Sequence, residues 1–291
     1  VNIVNLSNNH IFDYGLAGYE NTKKILKENK IDYFGIENNQ IKMVKDNVKI
    51  ALAGYCCYST NALGYYNLKT KIGINILNAF DVEKTLIKNQ EEGYLSIVSI
   101  HAGQEHINYP NYDHLEMARS FASKVNYVYY GHHPHVMQGV EKANDSLIAY
   151  SLGNFCFDDV YTKKSKEPLI KQSEENRKSF ILSLQIDENK VTSYDLIPIY
   201  ASKNKMIVGV NEKNIEEINQ YSKWLSEDKE KYIERRAELL KNYINNRKLQ
   251  RDFNWYIKRF NFDSFRIIFR AKYNQNKYKH CIKDYIMKNK F

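Results

Sequence analysis

Over roughly the first two hundred residues, short apolar runs alternate with amphipathic stretches, a pattern that predicts an α/β arrangement. Residues 1–6 read as a strand, and 18–29 as a helix with Ile25 and Leu26 on its apolar side. A second strand follows over 33–36. Residues 41–55 read as a hairpin turning at Asp46 and Asn47. The Tyr-, Asn- and Gly-rich stretch 56–78 reads as loop. A helix over 82–90 leads into a very apolar strand over 94–100, then a helix over 113–124 and a strand over 127–130. A hairpin around Asn144 and Asp145 joins 136–142 to 147–151. A lysine-rich loop, 162–178, precedes a long β-pair, 179–186 and 191–200.

After about residue 210 the pattern changes. Glycine and proline disappear, and the spacing of Ile215, Ile218, Trp224, Leu225, Tyr232, Ile233, Leu239, Leu240 and Ile244 predicts helices. Further on, aromatic and basic residues interleave through Phe253, Trp255, Tyr256, Lys258, Arg259, Phe260, Phe262, Phe265, Arg266, Phe269 and Arg270. The expected organisation is a body over 1–210 and a basic, aromatic-rich helical extension over 211–291, which contributes no ligand to a site in the body. Charge divides at the same place. Residues 1–210 hold 23 basic and 23 acidic side chains, whereas 211–291 hold 20 and 11 and so carry the whole net charge of +9. A neutral body argues against nucleic acid as partner. The basic tail fits an anionic surface, or else a solvated face with its rings packed on the body.

Other classes drop out on composition. No stretch reaches the ~18–20 apolar residues of a membrane span. Four cysteines, two of them the adjacent Cys56 and Cys57, do not make a disulfide framework and read as idle thiols. The first residue is Val1, so an upstream segment is expected, and with it any signal or anchor that would place the protein at the membrane or outside it.

The candidate chemistry follows the strands. Ser7-Asn8-Asn9-His10, His101-Ala102-Gly103-Gln104-Glu105, Gly131-His132-His133-Pro134-His135 and Leu152-Gly153-Asn154-Phe155 each come directly after an apolar run. Helix-connected strands run parallel, so these clusters are expected at one sheet edge. Pro134 is expected to hold His133 extended, which would turn His133 and His135 to one side as a metal-binding pair. Taken alone, Asn9-His10 fits a helix cap as well as a ligand pair, and His101 fits a satisfied core histidine. Asp13 and Glu105 fit either a carboxylate orienting a ligand histidine or an ordinary loop acid.

Together, the ordered motifs from Asn8 to Gly15, His101 to Glu105, Gly131 to Val136 and Tyr150 to Phe155 resemble the poly-γ-glutamate capsule-biosynthesis (CapA-like) family, part of the calcineurin-like metallophosphoesterase superfamily. The resemblance covers about residues 1–200. It implies a four-layer α/β/β/α sandwich with a site for two divalent ions (Mn, Fe or Zn) at the strand ends. It implies Asn9, His101, His133 and His135 as metal ligands, with His132 an alternative for one of the pair, and His10 facing the substrate as the catalytic histidine. Asp13, Glu105 and Asn154 fall in supporting positions. Such sites also take a bridging Asp from a strand upstream. The chain is therefore expected to be N-terminally truncated, with an unpaired edge at 1–6 or a neighbouring strand. The implied function is hydrolysis of a phosphate ester, on or near an anionic surface polymer. The alternative is a non-catalytic capsule-assembly protein that holds an acidic polymer or the membrane surface.

Overall fold

The computed structural model describes residues 1–60, 72–161, 168, 171–202, 205–209, 212–249 and 262–289. Strand β1 (Ile3–Asn5), helix α1 (Gly15–Glu28) and strand β2 (Asp32–Phe34) form a parallel unit with Ile3 opposite Asp32. The expected hairpin is β3 (Ile41–Lys45) and β4 (Val48–Cys56), and Asp46 and Asn47 turn it with φ of 48° and 67°. Two successive positive φ values are what a two-residue hairpin of matching twist requires, and Asp-Asn tolerates them.

Helix α2 (Ala79–Glu91) starts at Asn78, whose side chain accepts from the Phe80 amide at 3.1 Å. Then come β5 (Leu95–His101), α3 (Tyr112–Ala122), β6 (Tyr127–His132), β7 (Val140–Ala143) and β8 (Ser146–Ala149). These build a six-stranded sheet in the order β3-β4-β5-β6-β8-β7, parallel through β4, β5, β6 and β8, with antiparallel strands at both edges. β5 is central and almost wholly buried, so its sequence runs apolar without alternation. A second sheet region carries β9 (Lys178–Asp187), β10 (Lys190–Ala201) and a short β11 (Met206–Val208). β11 was not apparent in the sequence.

Three clusters set the layering. Val98, Ile100, Leu115, Phe121, Tyr127 and Tyr129 pack between the six-stranded sheet and its helices. Leu95, Val128, Leu147 and Phe180 pack between that sheet and β9–β10. Leu6, Tyr19 and Ile36 join β1 and β2 to α1. Two sheet layers thus lie between helices, the expected α/β/β/α order. Among the described residues β1 pairs only with β2, and β9 pairs with β10 and by a single bridge, Ser179 to Gly153. Ile3 and Phe180 line the same apolar groove of about 540 Å³, with Ile97, Val128 and Tyr130 also on its walls.

The C-terminal segment is helical in α4 (Glu212–Trp224), α5 (Lys229–Leu249), α6 (Phe262–Tyr278) and α7 (Asp284–Lys288). Its apolar side chains divide. Leu225, Tyr232, Cys281, Ile282 and Tyr285 bury in the same cluster as Val98 and Phe121, while Phe262 and Phe269 are 83 % and 76 % exposed. The aromatic–basic residues from Phe253 to Phe260 lie outside the described residues, as do parts of the 56–78 and 162–178 loops. Cys56, Cys57 and Cys281 are buried thiols and Cys156 is exposed.

Candidate metal centre

β5 and β6 end together. Their register places His101 opposite His132 as the last pair, so both rings arrive at the same edge of the sheet. The turn after β1 brings Asn9 to this edge, where its Oδ1 lies 2.9 Å from His101 Nε2 while its Nδ2 donates to the Thr60 carbonyl. An amide oxygen only accepts, so His101 Nε2 is assigned as the donor. His101 Nδ1 then accepts from His132 Nδ1 at 2.7 Å, and His132 Nε2 accepts from the Ser99 hydroxyl at 2.9 Å. Asn5 Nδ2 donates to Ser99 Oγ at 2.8 Å. Room for the Asn5 amide comes from Gly35 and Gly54, where an added Cβ would lie 2.1 and 2.2 Å from Asn5 Oδ1.

His133 and His135 converge differently from the expectation. His133 has φ 100° and His135 φ 61°, so the segment after β6 is not extended and strand alternation does not align the rings. The chain turns at Pro134, whose carbonyl accepts from the His106 amide at 2.7 Å, and two positive-φ residues bring the imidazoles together. Non-glycine residues in that region are uncommon and concentrate where surrounding structure holds them for function. The ring centroids are 6.1 Å apart. Glu105 completes a group with them: one ligand atom from each of Glu105, His133 and His135 lies within 4.8 Å of the others.

The donor set fits a divalent cation. His133 Nδ1 is buried without a hydrogen-bond partner, an orphan that a metal would satisfy. Asn154 Oδ1 lies 2.9 Å from His135 Nδ1, which fixes that nitrogen as the donor and leaves Nε2 with its lone pair. Asn154 Nδ2 donates in turn to the Asn176 carbonyl. Burial pushes the His133 imidazole down to about 3 and His132 to about 4, and it holds His101 well below the usual histidine range; the neighbouring imidazoles add to each shift. All three rings are neutral at physiological pH, the state a ligand needs.

His10 is set apart. Its side chain is 67 % exposed at the rim, with Nδ1 2.8 Å from Asp13 Oδ2. Asp13 therefore pairs with His10 rather than with a buried histidine, and Glu105, read as an orienting acid or an ordinary loop acid, stands with His133 and His135 in a group that could hold a metal ion. His101 lies beside that group, its ring centroid 4.7 Å from His133.

Sequence reasoning missed several contributors. Ser99 stands two residues before His101 on one face of β5, a spacing that could have marked it. His106 follows Glu105 directly, and Asn176 Nδ2 donates to both His106 Nδ1 and the His135 carbonyl. The Tyr243 ring, from α5, stands 5.5 Å from that of His106. Burial lowers His106 against the pull of Glu105, and His135 and the Arg247 charge lower it further. Asn176 and Tyr243 carry no local signal.

Imidazoles, amides and a carboxylate thus gather at the ends of parallel strands in a two-sheet α/β fold. The chain belongs to the family described as bacterial capsule synthesis protein PGA_cap, which matches residues 1–159. It is 32 % identical over 181 residues to the capsule biosynthesis protein CapA of Bacillus anthracis, covering 58 % of this chain and 43 % of that protein. To the PGA biosynthesis protein CapA of Bacillus subtilis it is 29 % identical over 175 residues, covering 58 % and 46 %. The chain thus matches less than half the length of these relatives. Among solved structures, a 5′-nucleotidase precursor of Thermus thermophilus aligns with TM-score 0.44 and 13 % identity over 76 % of this chain and 43 % of that one. The sulfate thiohydrolase SoxB of Thermus thermophilus aligns with TM-score 0.42 and 8 % identity over 77 % and 36 %.

Proposed function

We propose that this chain carries the metal-binding face of a phosphoesterase-type hydrolase that acts on a phosphate ester during capsule or surface-polymer synthesis. The observation behind this reading is the convergence of Glu105, His133 and His135 within 4.8 Å beside the Asn9–His101 pair. Glu105, His133 and His135 hold one divalent cation, and Asn9 Oδ1 with His101 Nε2 offers a second position. A 2.9 Å separation suits two neighbouring ligands of one ion as well as a hydrogen bond, since each would sit ~2.1 Å from the metal. Nitrogen and oxygen donors without thiolate favour Mn, Fe or Zn. A divalent cation supplies Lewis acidity towards a phosphoryl oxygen and a nucleophilic water at neutral pH.

The chain's own residues do the rest. Asp13 holds His10 Nδ1, which points the other ring nitrogen away for proton transfer to a leaving oxygen at the rim. Asn154 holds His135 in the ligating tautomer. Burial of His101 and His133, each 7 % exposed, keeps bulk water off the inner ligands.

Hydrolysis of bis(p-nitrophenyl) phosphate in the presence of Mn²⁺, against an EDTA control, tests the reading. His10→Gln is expected to lower turnover while leaving Mn²⁺ affinity unchanged. Turnover that is equal with metal and with EDTA would sink it.

One observation favours a second, non-catalytic role in capsule assembly. On α6 the exposed Phe262, Ile268, Phe269 and Tyr273 share the helix with the exposed Arg266 and Lys272, a combination suited to an anionic membrane surface. Salt-sensitive co-sedimentation with phosphatidylglycerol vesicles, lost in Phe269→Ser, tests it. Binding that survives both high salt and Phe269→Ser contradicts it.

A further inference from the structure

Helix α5 turns one stripe of side chains to the body. Tyr232, Arg236, Leu240, Tyr243 and Arg247 follow at intervals of four, four, three and four, which keeps them within about 80° around the axis. The contacts agree with that face. Tyr232 is wholly buried and its hydroxyl donates to the Pro110 carbonyl at 2.9 Å. Arg236 Nε donates to the Tyr109 carbonyl at 3.2 Å and its Nη2 to Asn111 Oδ1. Leu240 and Tyr243 pack against the main core cluster.

The stripe therefore runs along the loop that follows β5, and it ends at the candidate metal centre. The Tyr243 ring lies 5.5 Å from that of His106, which stacks 5.9 Å from that of His135. Arg247 comes one turn later on the same face. Its Nη1 donates to the Tyr243 hydroxyl at 3.2 Å, and its guanidinium lies 5.6 Å from the centre of the Tyr243 ring. Tyr243 thus steers the Arg247 head from two sides, by a hydrogen bond and by its ring face. Among the described residues Arg247 pairs with no carboxylate, unlike Arg235, which is held by Glu227.

We propose that Arg247 is an anion-binding residue at the mouth of the candidate metal centre, taking the oxygens of a phosphate or phosphodiester group. This rests on the phosphoesterase reading above and adds a residue from the C-terminal segment to it. A planar guanidinium offers two parallel N–H bonds that match two phosphoryl oxygens. Tyr243 and His106 connect that guanidinium to the ligand cluster through ring contacts.

The test is calorimetric titration of the 291-residue chain with orthophosphate, with and without Mn²⁺, alongside a separate Mn²⁺ titration. Arg247→Ala is expected to weaken phosphate binding about tenfold or more at unchanged Mn²⁺ affinity. Arg247→Lys, which keeps the charge but not the fork, should fall between, and so should Tyr243→Phe, which keeps the ring but not the hydroxyl. Equal phosphate affinity in the parent and Arg247→Ala overturns the proposal. So does a parent chain that binds no phosphate in either condition, or an Arg247→Ala loss that Mn²⁺ affinity follows in proportion. If the parent binds no Mn²⁺ but its phosphate binding still depends on Arg247, the metal reading falls and the Arg247 site stands.

Discussion

Asn9 and His101 meet across 92 residues of sequence, with Oδ1 and Nε2 2.9 Å apart at the end of β5. The contact starts a relay from Asn9 through His101, His132 and Ser99 to Asn5. Each imidazole in it offers one donor and one acceptor when neutral, so the two rings can carry their protons in either direction. Without a cation, His101 Nε2 donates to Asn9. Were Asn9 Oδ1 and His101 Nε2 to hold a cation, the His101 proton would sit on Nδ1 and His132 would donate towards Ser99. The buried rings could therefore change tautomer on metal binding while each imidazole stays neutral.

Stability should fall on the acid side of neutrality in the metal-free protein. Unfolded histidines take up protons near pH 6.5, whereas burial holds folded His132 at about 4, His133 at about 3 and His101 well below its usual range. The unfolded state binds more protons in this window, so the stability present above pH 6.5 is lost as pH falls towards 4 and then 3. Each group contributes about 1.4 kcal/mol per pH unit. Urea midpoints measured in EDTA should drop steadily from pH 7 to pH 5. Unchanged midpoints would place these rings in water.

Asn154 should matter to metal affinity although it is assigned as no ligand. It fixes the His135 tautomer through a 2.9 Å contact and is itself tied to Asn176. Asn154→Ala is expected to weaken Mn²⁺ binding roughly 10- to 100-fold, the usual effect of removing such a support. Asn154→Asp, which preserves the acceptor, should recover most of it. Equal affinity in all three proteins would leave His135 oriented by other means.

Gly131 marks a close approach of β6 to the chain leaving β8. A Cβ there would lie 1.9 Å from the Tyr150 carbonyl oxygen, which is backbone and cannot swing aside. Gly131→Ala should cost about 3 kcal/mol or more, by forced separation of packed strands. A thermal or urea scan of the variant checks it, and a change below about 0.5 kcal/mol, the range of surface substitutions, would mean that the strands part easily.

The C-terminal helices should be needed for the stability of the body. Tyr232 and Tyr285 are wholly buried against residues of α2, α3 and β5, and the Tyr285 hydroxyl donates to Glu83 and meets Ser120. Tyr232→Ala should destabilise by roughly 3–5 kcal/mol, as for other buried aromatic truncations, and unfolding should stay a single transition. If a fragment ending near residue 210 keeps the parent's melting temperature, the tail is an accessory after all.

Much of this was legible in the sequence because parallel strands announce themselves. The run Leu95 to His101 is too apolar for an exposed strand, and Asp46-Asn47 and Asn144-Asp145 mark hairpins through residues that accept left-handed backbone. The motif histidines were placed at strand ends by the same logic. The details failed where tertiary contacts overrode local preference. Pro134 suggested an extended His133, yet the turn onto His106 imposed positive φ on both flanking histidines. Glu105 could not be separated from an ordinary loop acid until His133 and His135 stood beside it. Tyr243 and Arg247 lie far along the chain from every motif, and their spacing on α5 says which face they share but not what that face meets.

The most direct measurement is a calorimetric titration of the 291-residue chain with Mn²⁺, repeated on Glu105→Gln and His133→Asn. Mn²⁺ binding is expected in the parent chain and should weaken at least tenfold with either substitution, with folding unchanged by circular dichroism. No Mn²⁺ binding, or binding indifferent to both substitutions, would contradict the assignment of Glu105, His133 and His135 as a metal centre.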